Sequence, residues 1–254
     1  MKAMLQGRKL GLEMLVAFQF LTRIPTPLTA FEADSLPRAV KFFPLVGLVV
    51  GSGAVLVQRM LISHLGRPLV ALAVITYLVS ITGCLHEDGV ADIADGFGGG
   101  WTKDQILLIM KDSRIGSYGA TALTLSLLAR LLLLTSLPLE HFAAYLISSH
   151  VLCRWSSLPL SYFLPPAREN VGQGARIAKV TSLSSLAFGS AFSLVVVVSA
   201  LRRLAMAPLL VAVIATVITG WLYARKIRGV TGDCFGATNQ LTEIAVYFCG
   251  VWTG

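Results

Sequence analysis

Acidic side chains are concentrated in one short stretch of the chain, from Gly83 to Gly119. It reads GCLHEDGVADIADGFGGGWTKDQILLIMKDSRIGSYG and carries Asp88, Asp92 and Asp95 at spacings of four and three residues. On a helix these spacings put the three carboxylates on one face, where they repel one another unless a cation lies between them. Carboxylate oxygens suit Mg²⁺, which also takes substrate phosphates as ligands. The pattern therefore predicts a magnesium site for a phosphorylated substrate.

A solvated acidic face is the alternative explanation for this cluster. Such a face would normally include Lys or Arg four residues from each carboxylate. Here the residues between the carboxylates are instead apolar, namely Val90, Ala91, Ile93 and Ala94. The metal site is therefore the favoured interpretation.

Groups suited to binding phosphate follow the acidic cluster. Gly98 and Gly99 lie in a glycine run whose backbone N–H groups could approach a phosphate, although a flexible turn explains the run as well. Lys111 and Arg114 are predicted to contact phosphate, and Asp112 to bind the metal or position the substrate. The alternative is a basic membrane flank with a loop aspartate.

A second polar segment, Gly229–Glu243, reads GVTGDCFGATNQLTE. We expect Asp233 in a glycine-bounded turn, and a helix starting near Gly236 would direct its N–H groups at an anion. Asn239 and Glu243 follow four residues apart, and an ionisable group next to an apolar segment is a candidate functional residue. We expect Asp233 to join the carboxylates of the first stretch as a metal ligand. A satisfied polar cap is the alternative.

Two arginines lie inside apolar runs. Arg154 either reaches the substrate phosphate or extends to the membrane interface. Arg130 is interpreted as a packing or interface residue. The histidines outside the motifs, His64, His141 and His150, are interpreted as structural.

Membrane helices must position these residues. Of the 254 residues, 55% are hydrophobic and 13% charged, and the mean hydropathy is +0.74, whereas a soluble domain has about 25% charged residues. Apolar runs lie at roughly 43–62, 68–85, 117–137, 142–160, 183–201, 205–224 and 241–252, with a shorter one at 12–24. Because a helix needs roughly 20 residues to cross a bilayer, we predict an all-α polytopic bundle of about seven spans, within a range of about six to eight, as one domain over residues 1–254. A helix is also expected from a capping box at Thr102-Lys103-Asp104-Gln105 through about Asp112.

The net charge of +8 is distributed at the ends of the apolar runs. This distribution is better explained by basic residues that flank membrane helices on the cytoplasmic side than by nucleic-acid binding. No nucleic acid is therefore expected as a partner. The positive-inside rule places the loop 86–116, and with it the active site, on the cytoplasmic side, together with the loops near 161–182 and 225–235. Arg202 and Arg203 count against this orientation, as do Arg59 and Arg67. The four cysteines form no CxxC pair, so neither a disulfide framework nor a zinc site is indicated.

Five segments, in order along nearly the whole chain, carry a specific resemblance. They are FLTRIPTP (20–27), FFPLVGLVVG (42–51), HEDGVADIADGFGGG (86–100), IMKDSRIGSYG (109–119) and GVTGDCFGATNQLTE (229–243). They resemble the adenosylcobinamide-GDP ribazoletransferase family, also called cobalamin (5'-phosphate) synthases. Glu87 is counted among the candidate metal ligands, although many relatives have an apolar residue there.

The resemblance implies a reaction, a cofactor and a location. The family joins adenosylcobinamide-GDP to α-ribazole, or to its 5'-phosphate, and releases GMP, in the bacterial inner membrane and with Mg²⁺. It implies that Asp88, Asp92 and Asp95 hold the metal against the diphosphate, and that Lys111 and Arg114 neutralise the leaving phosphate.

A general base is also required by this reaction. His86, Glu243 or one of the aspartates could serve, and a carboxylate is favoured because the first motif supplies several. Asn239 and Arg154 are counted with the predicted substrate contacts. The oligomeric state is left open, and a homo-oligomer is compatible with the sequence.

Two other functions remain as alternatives. A CDP-alcohol phosphotransferase of lipid synthesis also uses a membrane aspartate array, but its pattern has Ala-Arg after the Asp-Gly pair, where this chain has Ala91-Asp92. An ion-coupled transporter would place acidic groups near the middle of the bilayer. Here they cluster on one side, and no internal repeat is visible.

Overall fold

The computed structural model describes residues 2–27, 35–168 and 181–253. Every regular secondary-structure element in these ranges is a helix. This confirms the all-α prediction. The helices, in chain order, are α1 (Lys2–Leu21), α2 (Ser35–Ala39), α3 (Phe43–Leu61), α4 (Arg67–Thr82), α5 (Leu85–Gly99), α6 (Lys103–Ile109), α7 (Ser117–Ser136), α8 (Leu139–Trp155), α9 (Ser157–Phe163), α10 (Leu183–Leu201), α11 (Met206–Ile227) and α12 (Gly232–Thr253). Short 3₁₀ turns, Val40–Phe42 and Arg202–Leu204, follow α2 and α10.

Four helical segments in the described residues are long and apolar enough to cross a membrane. They are Leu36–Leu61, Ser117–Ser136, Leu183–Leu204 and Met206–Ile227. A fifth is obtained if α4 and α5, which are bent by 87° relative to each other, count as one span. The structure thus supports four or five of the roughly seven spans expected from the apolar runs.

The predicted run 142–160 forms two helices. Helix α8 ends at Trp155 and α9 begins at Ser157. Pro159 has no N–H to donate to the carbonyl of Trp155, so a continuous helix would lose a hydrogen bond at this point. The break follows from this missing donor.

The sharp turn between α4 and α5 depends on two residues with left-handed backbone conformation. Gly83 has φ +64° and Cys84 has φ +61°. Glycine adopts this region without a steric penalty, and a Cβ atom at Gly83 would lie 2.2 Å from Nε of Arg23. The turn directs the acidic stretch away from the axis of α4.

Helix α12 connects the acidic stretch to the interior of the bundle. It packs against α5, α7, α8 and α11. Helix α8 lies between α3 and α12, and its buried residues include Ser148, Ser149, His150 and Arg154. Polar groups therefore occupy the middle of the bundle, where the sequence suggested apolar packing.

Candidate active site

Helices α5 and α12 cross in close backbone contact. A Cβ atom at Gly89 would lie 2.7 Å from the carbonyl oxygen of Asp233, and one at Gly236 would lie 3.1 Å from the backbone of α5. Only glycine allows this approach. Because Asp88 adjoins Gly89 in the chain, the contact brings the acidic stretch next to Asp233. The two polar segments of the sequence therefore meet, as predicted.

Asp92 is surrounded by other carboxylates. It lies on α5, which together with α4 counts as the possible fifth span. The carboxylates of Asp233, Asp88 and Asp95 are close enough to repel its negative charge, and the guanidinium of Arg168 is close enough to attract it. Such crowding is relieved by a bound cation. Among the described residues, the group whose ligand atoms lie within 4.8 Å of one another is His150, Cys153 and Glu243 and does not include these carboxylates. Carboxylate oxygens are ligands that Mg²⁺ takes, and Mg²⁺ binding here stays a prediction.

The loop between α6 and α7 lies beside these carboxylates. Lys111, Asp112 and Arg114 line a cavity of about 780 Å³ together with Asp88 and Asp92. The guanidinium of Arg114 donates to Asp112 at 2.6 and 3.0 Å, and these bonds hold the pKa of the Asp112 carboxyl at about 2. Acidic and basic candidates from the first motif therefore share one cavity.

Asp95 has a structural role that the sequence did not reveal. Its oxygens accept the backbone N–H groups of Gly116 at 2.7 Å and Gly119 at 2.8 Å. These contacts satisfy donors at the start of α7, which otherwise have no partner within the helix. Carboxylate oxygens have further lone pairs, so metal binding by Asp95 stays a prediction.

The glycine run forms the last turn of α5, so the expectation of a loop here was wrong. Gly98 and Gly99 are helical, and a Cβ atom at Gly98 would lie 2.6 Å from the ring of Tyr118. Because N–H groups inside a helix bond to its own carbonyls, the small size of Gly98 here serves packing. Contact between these two glycines and a phosphate stays a prediction.

The capping box is confirmed. The Thr102 side chain accepts from the backbone N–H of Gln105, and the Gln105 side chain accepts from the backbone of Thr102. Helix α6 ends at Ile109, before the expected limit of about Asp112. The early end leaves residues 110–116 as the loop that borders the cavity.

Two other candidates, Glu87 and Glu243, belong to a buried ion-pair network. Arg130, 1% exposed, donates to Glu87 at 2.8 Å and to Glu243 at 2.9 Å. Gln240 also donates to Glu87, at 2.9 Å. Glu87 additionally borders the cavity, whereas Glu243 lies in the interior on α12. Arg130 therefore links α5, α7 and α12 through charge, beyond the packing role expected of it.

Three further candidates lie in the interior, apart from the cavity. Arg154 is 1% exposed and bonds to Nδ1 of His150 at 3.1 Å, so it does not extend to the interface. Asn239 donates to the carbonyl oxygen of Phe235 at 3.0 Å. His86 is buried and lines a small internal space with Arg154. The structure does not bring these three to the acidic cavity.

Helix α12 begins earlier in the chain than the sequence predicted. Asp233 lies in the first helical turn, because α12 begins at Gly232, four residues before the expected start near Gly236. The helix therefore presents Asp233 directly, where the sequence predicted a separate glycine-bounded turn. This position sets the Asp233 backbone against Gly89.

Arg168, in the loop near 161–182, is a charged neighbour of Asp233. The segment after α9 pairs with the turn before α12, through bonds of 2.9 Å from Ala167 N–H to the Val230 carbonyl and from Val230 N–H to the Pro165 carbonyl. This pairing sets Arg168 close enough to act on Asp233. The other basic residues of this loop, Arg176 and Lys179, lie outside the described residues.

The close contact of α5 with α12 gives a testable prediction. Gly89→Ala should lower the melting temperature and reduce any activity of the site at least about tenfold, because the new methyl group would collide with the Asp233 backbone and separate the carboxylates. Thermal unfolding in detergent, followed by circular dichroism, measures the first effect. Gly11→Ala is the control, since a Cβ atom there has nothing within 4 Å. Equal melting temperatures for the two variants would contradict this packing.

The fold and the cavity define a class of protein. It is a helical protein with several membrane-length helices and a cavity lined by carboxylates and basic side chains. Residues 13–251 match the cobalamin-5-phosphate synthase family. The chain belongs to this family.

Curated relatives agree with this assignment. A protein of Ralstonia nicotianae named adenosylcobinamide-GDP ribazoletransferase is 34% identical over 91% of this chain and 91% of its own length. Proteins of the same name from Sinorhizobium medicae and Shewanella piezotolerans are 38% and 36% identical, over 89% and 92% of this chain and 91% and 92% of their own lengths. No solved structure matches the chain.

Proposed function

We propose that this chain transfers the adenosylcobinamide-phosphate group from adenosylcobinamide-GDP to α-ribazole, or to its 5'-phosphate, and releases GMP. The observation that carries the proposal is the crowding of carboxylates around Asp92 in a cavity that also contains Lys111 and Arg114. A diphosphate substrate needs both a cation site and basic side chains. The names of the relatives supply the substrates.

Mg²⁺ is the proposed cofactor, with Asp88, Asp92 and Asp233 as its principal ligands. When bound, it would neutralise negative charge on the diphosphate and polarise the phosphorus centre. Lys111 would bind the phosphate oxygens, and Arg168 would do so after release from the Leu107 carbonyl, to which it donates here. Arg114 would do so after release from Asp112, to which it is bonded here.

In the proposed transfer one bond to phosphorus forms, one breaks, and a residue of the cavity takes the proton. A ribazole hydroxyl oxygen forms a new bond to the phosphorus next to the cobinamide linker, the bond from that phosphorus to the GMP oxygen breaks, and GMP leaves as an anion. The hydroxyl proton passes to a carboxylate. Asp88 and Asp92 line the cavity, whereas Glu243 is bound to Arg130 and His86 lies in the interior. This placement favours an aspartate as the base.

The protein is proposed to lie in the bacterial inner membrane, with the cavity on the cytoplasmic side. The four or five supported spans would be completed by α8 and α12, to give six or seven. This orientation is supported by Lys111, Arg114 and Arg168 near the cavity end, and by the absence of Lys and Arg in the Pro138–His141 connection. Arg67, which donates to the adjoining Leu137 carbonyl, counts against it.

The assay that tests the function uses the purified full-length protein in detergent. GMP release should require Mg²⁺, adenosylcobinamide-GDP and α-ribazole together, and it should stop on addition of EDTA. Release only with a CDP-linked lipid donor would identify a CDP-alcohol phosphotransferase instead. Substrate uptake into vesicles without GMP release would identify a transporter.

A further inference from the structure

The cavity that contains the carboxylates extends well beyond them. From Asp88 and Asp92 it continues between α4 and α7, where one face of each helix forms the wall. The side chains of this second part include Ile75, Thr76 and Val79 from α4, and Leu123, Leu127 and Leu131 from α7. One cavity thus has a charged half at the carboxylates and an apolar half between two helices.

The apolar half offers few hydrogen-bonding groups. The hydroxyl of Thr76 is already bonded to the Leu72 carbonyl of its own helix at 2.9 Å, and Ser80 supplies a second hydroxyl from α4. Ile75, 6% exposed, closes the inner wall, while Leu72 and Leu128, about half exposed, stand at the outer side. Because α7 has the length and hydropathy of a membrane span, the proposed membrane location puts this half at membrane depth. A ligand bound there must present an uncharged, apolar surface.

The size of the cavity suits one of the two substrates of the proposed reaction better than the other. Its volume of about 780 Å³ is in the range of roughly 300–1,000 Å³ that takes one drug-sized molecule. The donor is a corrinoid joined to a charged nucleotide, which is much larger and carries many polar groups. The acceptor is small and has two unlike ends, a ribose with hydroxyl groups and an uncharged dimethylbenzimidazole base. Only the acceptor matches both halves.

We propose that the apolar half of the cavity, between α4 and α7, binds the benzimidazole base of the acceptor and thereby holds the ribose hydroxyl at Asp88 and Asp92. This inference rests on the proposed function. It makes the facing sides of α4 and α7 the elements that select the acceptor. The donor then reaches the carboxylates with its diphosphate bound by Lys111 and Arg168.

Filling the apolar half tests this assignment. Leu127→Trp adds bulk between α4 and α7 without changing any carboxylate. We expect the KM for α-ribazole to rise at least about tenfold, because overpacking a formed pocket disfavours its ligand. The KM for adenosylcobinamide-GDP should stay within about twofold, the range of a substitution away from its contacts. Steady-state kinetics with each substrate varied at saturating concentrations of the other measures both.

Two further variants keep the test decisive. Leu125→Trp is the matched control on the same helix; Leu125 is 61% exposed and lies outside the cavity, so neither KM should change. Leu123→Ala enlarges the apolar half and serves if Leu127→Trp does not fold. It should raise the KM for α-ribazole several-fold, roughly the effect of lost methylene contacts.

A substrate analogue completes the design. An imidazole riboside, which lacks the fused benzene ring, should have a KM at least about tenfold above that of α-ribazole with the wild-type protein, and a smaller difference with Leu127→Trp. An unchanged KM for α-ribazole in Leu127→Trp and Leu123→Ala, or a rise in the donor KM alone, would overturn the inference. Absence of GMP release by the wild-type protein would instead refute the proposed function.

Discussion

Asp92→Asn is expected to lower the kcat of ribazole transfer at least about a thousandfold. Asparagine keeps the size of the side chain but removes the negative charge at the position where carboxylates from α5 and α12 meet. A catalytic metal contributes several kcal/mol of transition-state stabilisation, and each 1.36 kcal/mol is about tenfold in rate. GMP release at saturating substrates and Mg²⁺ measures the effect. Asp88→Asn should behave similarly.

The folded state should survive the same change. Asp92 is crowded by like charges, so its neutralisation removes repulsion, and the melting temperature without Mg²⁺ should not fall. Asp104→Asn is the control, because Asp104 is exposed on α6 and does not line the cavity. Near-normal turnover by both Asp92→Asn and Asp88→Asn at ordinary Mg²⁺ concentrations would remove these residues from the mechanism.

Arg130→Met should destabilise the protein by about 3–5 kcal/mol. The substitution keeps an extended side chain but leaves Glu87 and Glu243 buried without their cation. Burying an unpaired charge is costly because the interior solvates it poorly. Thermal unfolding in detergent should show a melting temperature lower by roughly 10 °C.

A charge-matched variant separates the loss of charge balance from the loss of packing. Adding Glu87→Gln and Glu243→Gln to Arg130→Met removes the uncompensated charges, and should restore most of the lost stability. Arg59→Met is the control, since Arg59 is exposed. If Arg130→Met melted within about 1 °C of the wild-type protein, the ion pairs would carry little of the stability.

The sequence was sufficient for the parts of the structure that depend on local pattern. Helix-period spacing placed Asp88, Asp92 and Asp95 together on α5, and the apolar runs identified most of the long helices. The capping box at Thr102 followed from side chains three residues apart. Each of these features is determined by residues within a few positions of one another.

The sequence was insufficient to predict features that depend on contacts between residues far apart in the chain. Nothing near Arg130 in the chain shows that it pairs with Glu87 and Glu243, which lie 43 and 113 positions away. Asp95 is a helix cap only because α7 starts beside it. Gly89 and Gly236 could have been read as a helix contact, because small residues allow close backbone approach, but the pairing itself needs the fold.

Binding of Mn²⁺ in place of Mg²⁺ tests most directly whether α5 and α12 hold one cation against the diphosphate. Electron paramagnetic resonance on the full-length protein should show bound Mn²⁺, and a phosphorus hyperfine coupling once adenosylcobinamide-GDP is added. Asp92→Asn and Asp233→Asn should each lose the bound signal and the coupling. Wild-type Mn²⁺ binding in Asp233→Asn, or bound Mn²⁺ with no phosphorus coupling in the donor complex, would contradict a shared metal site.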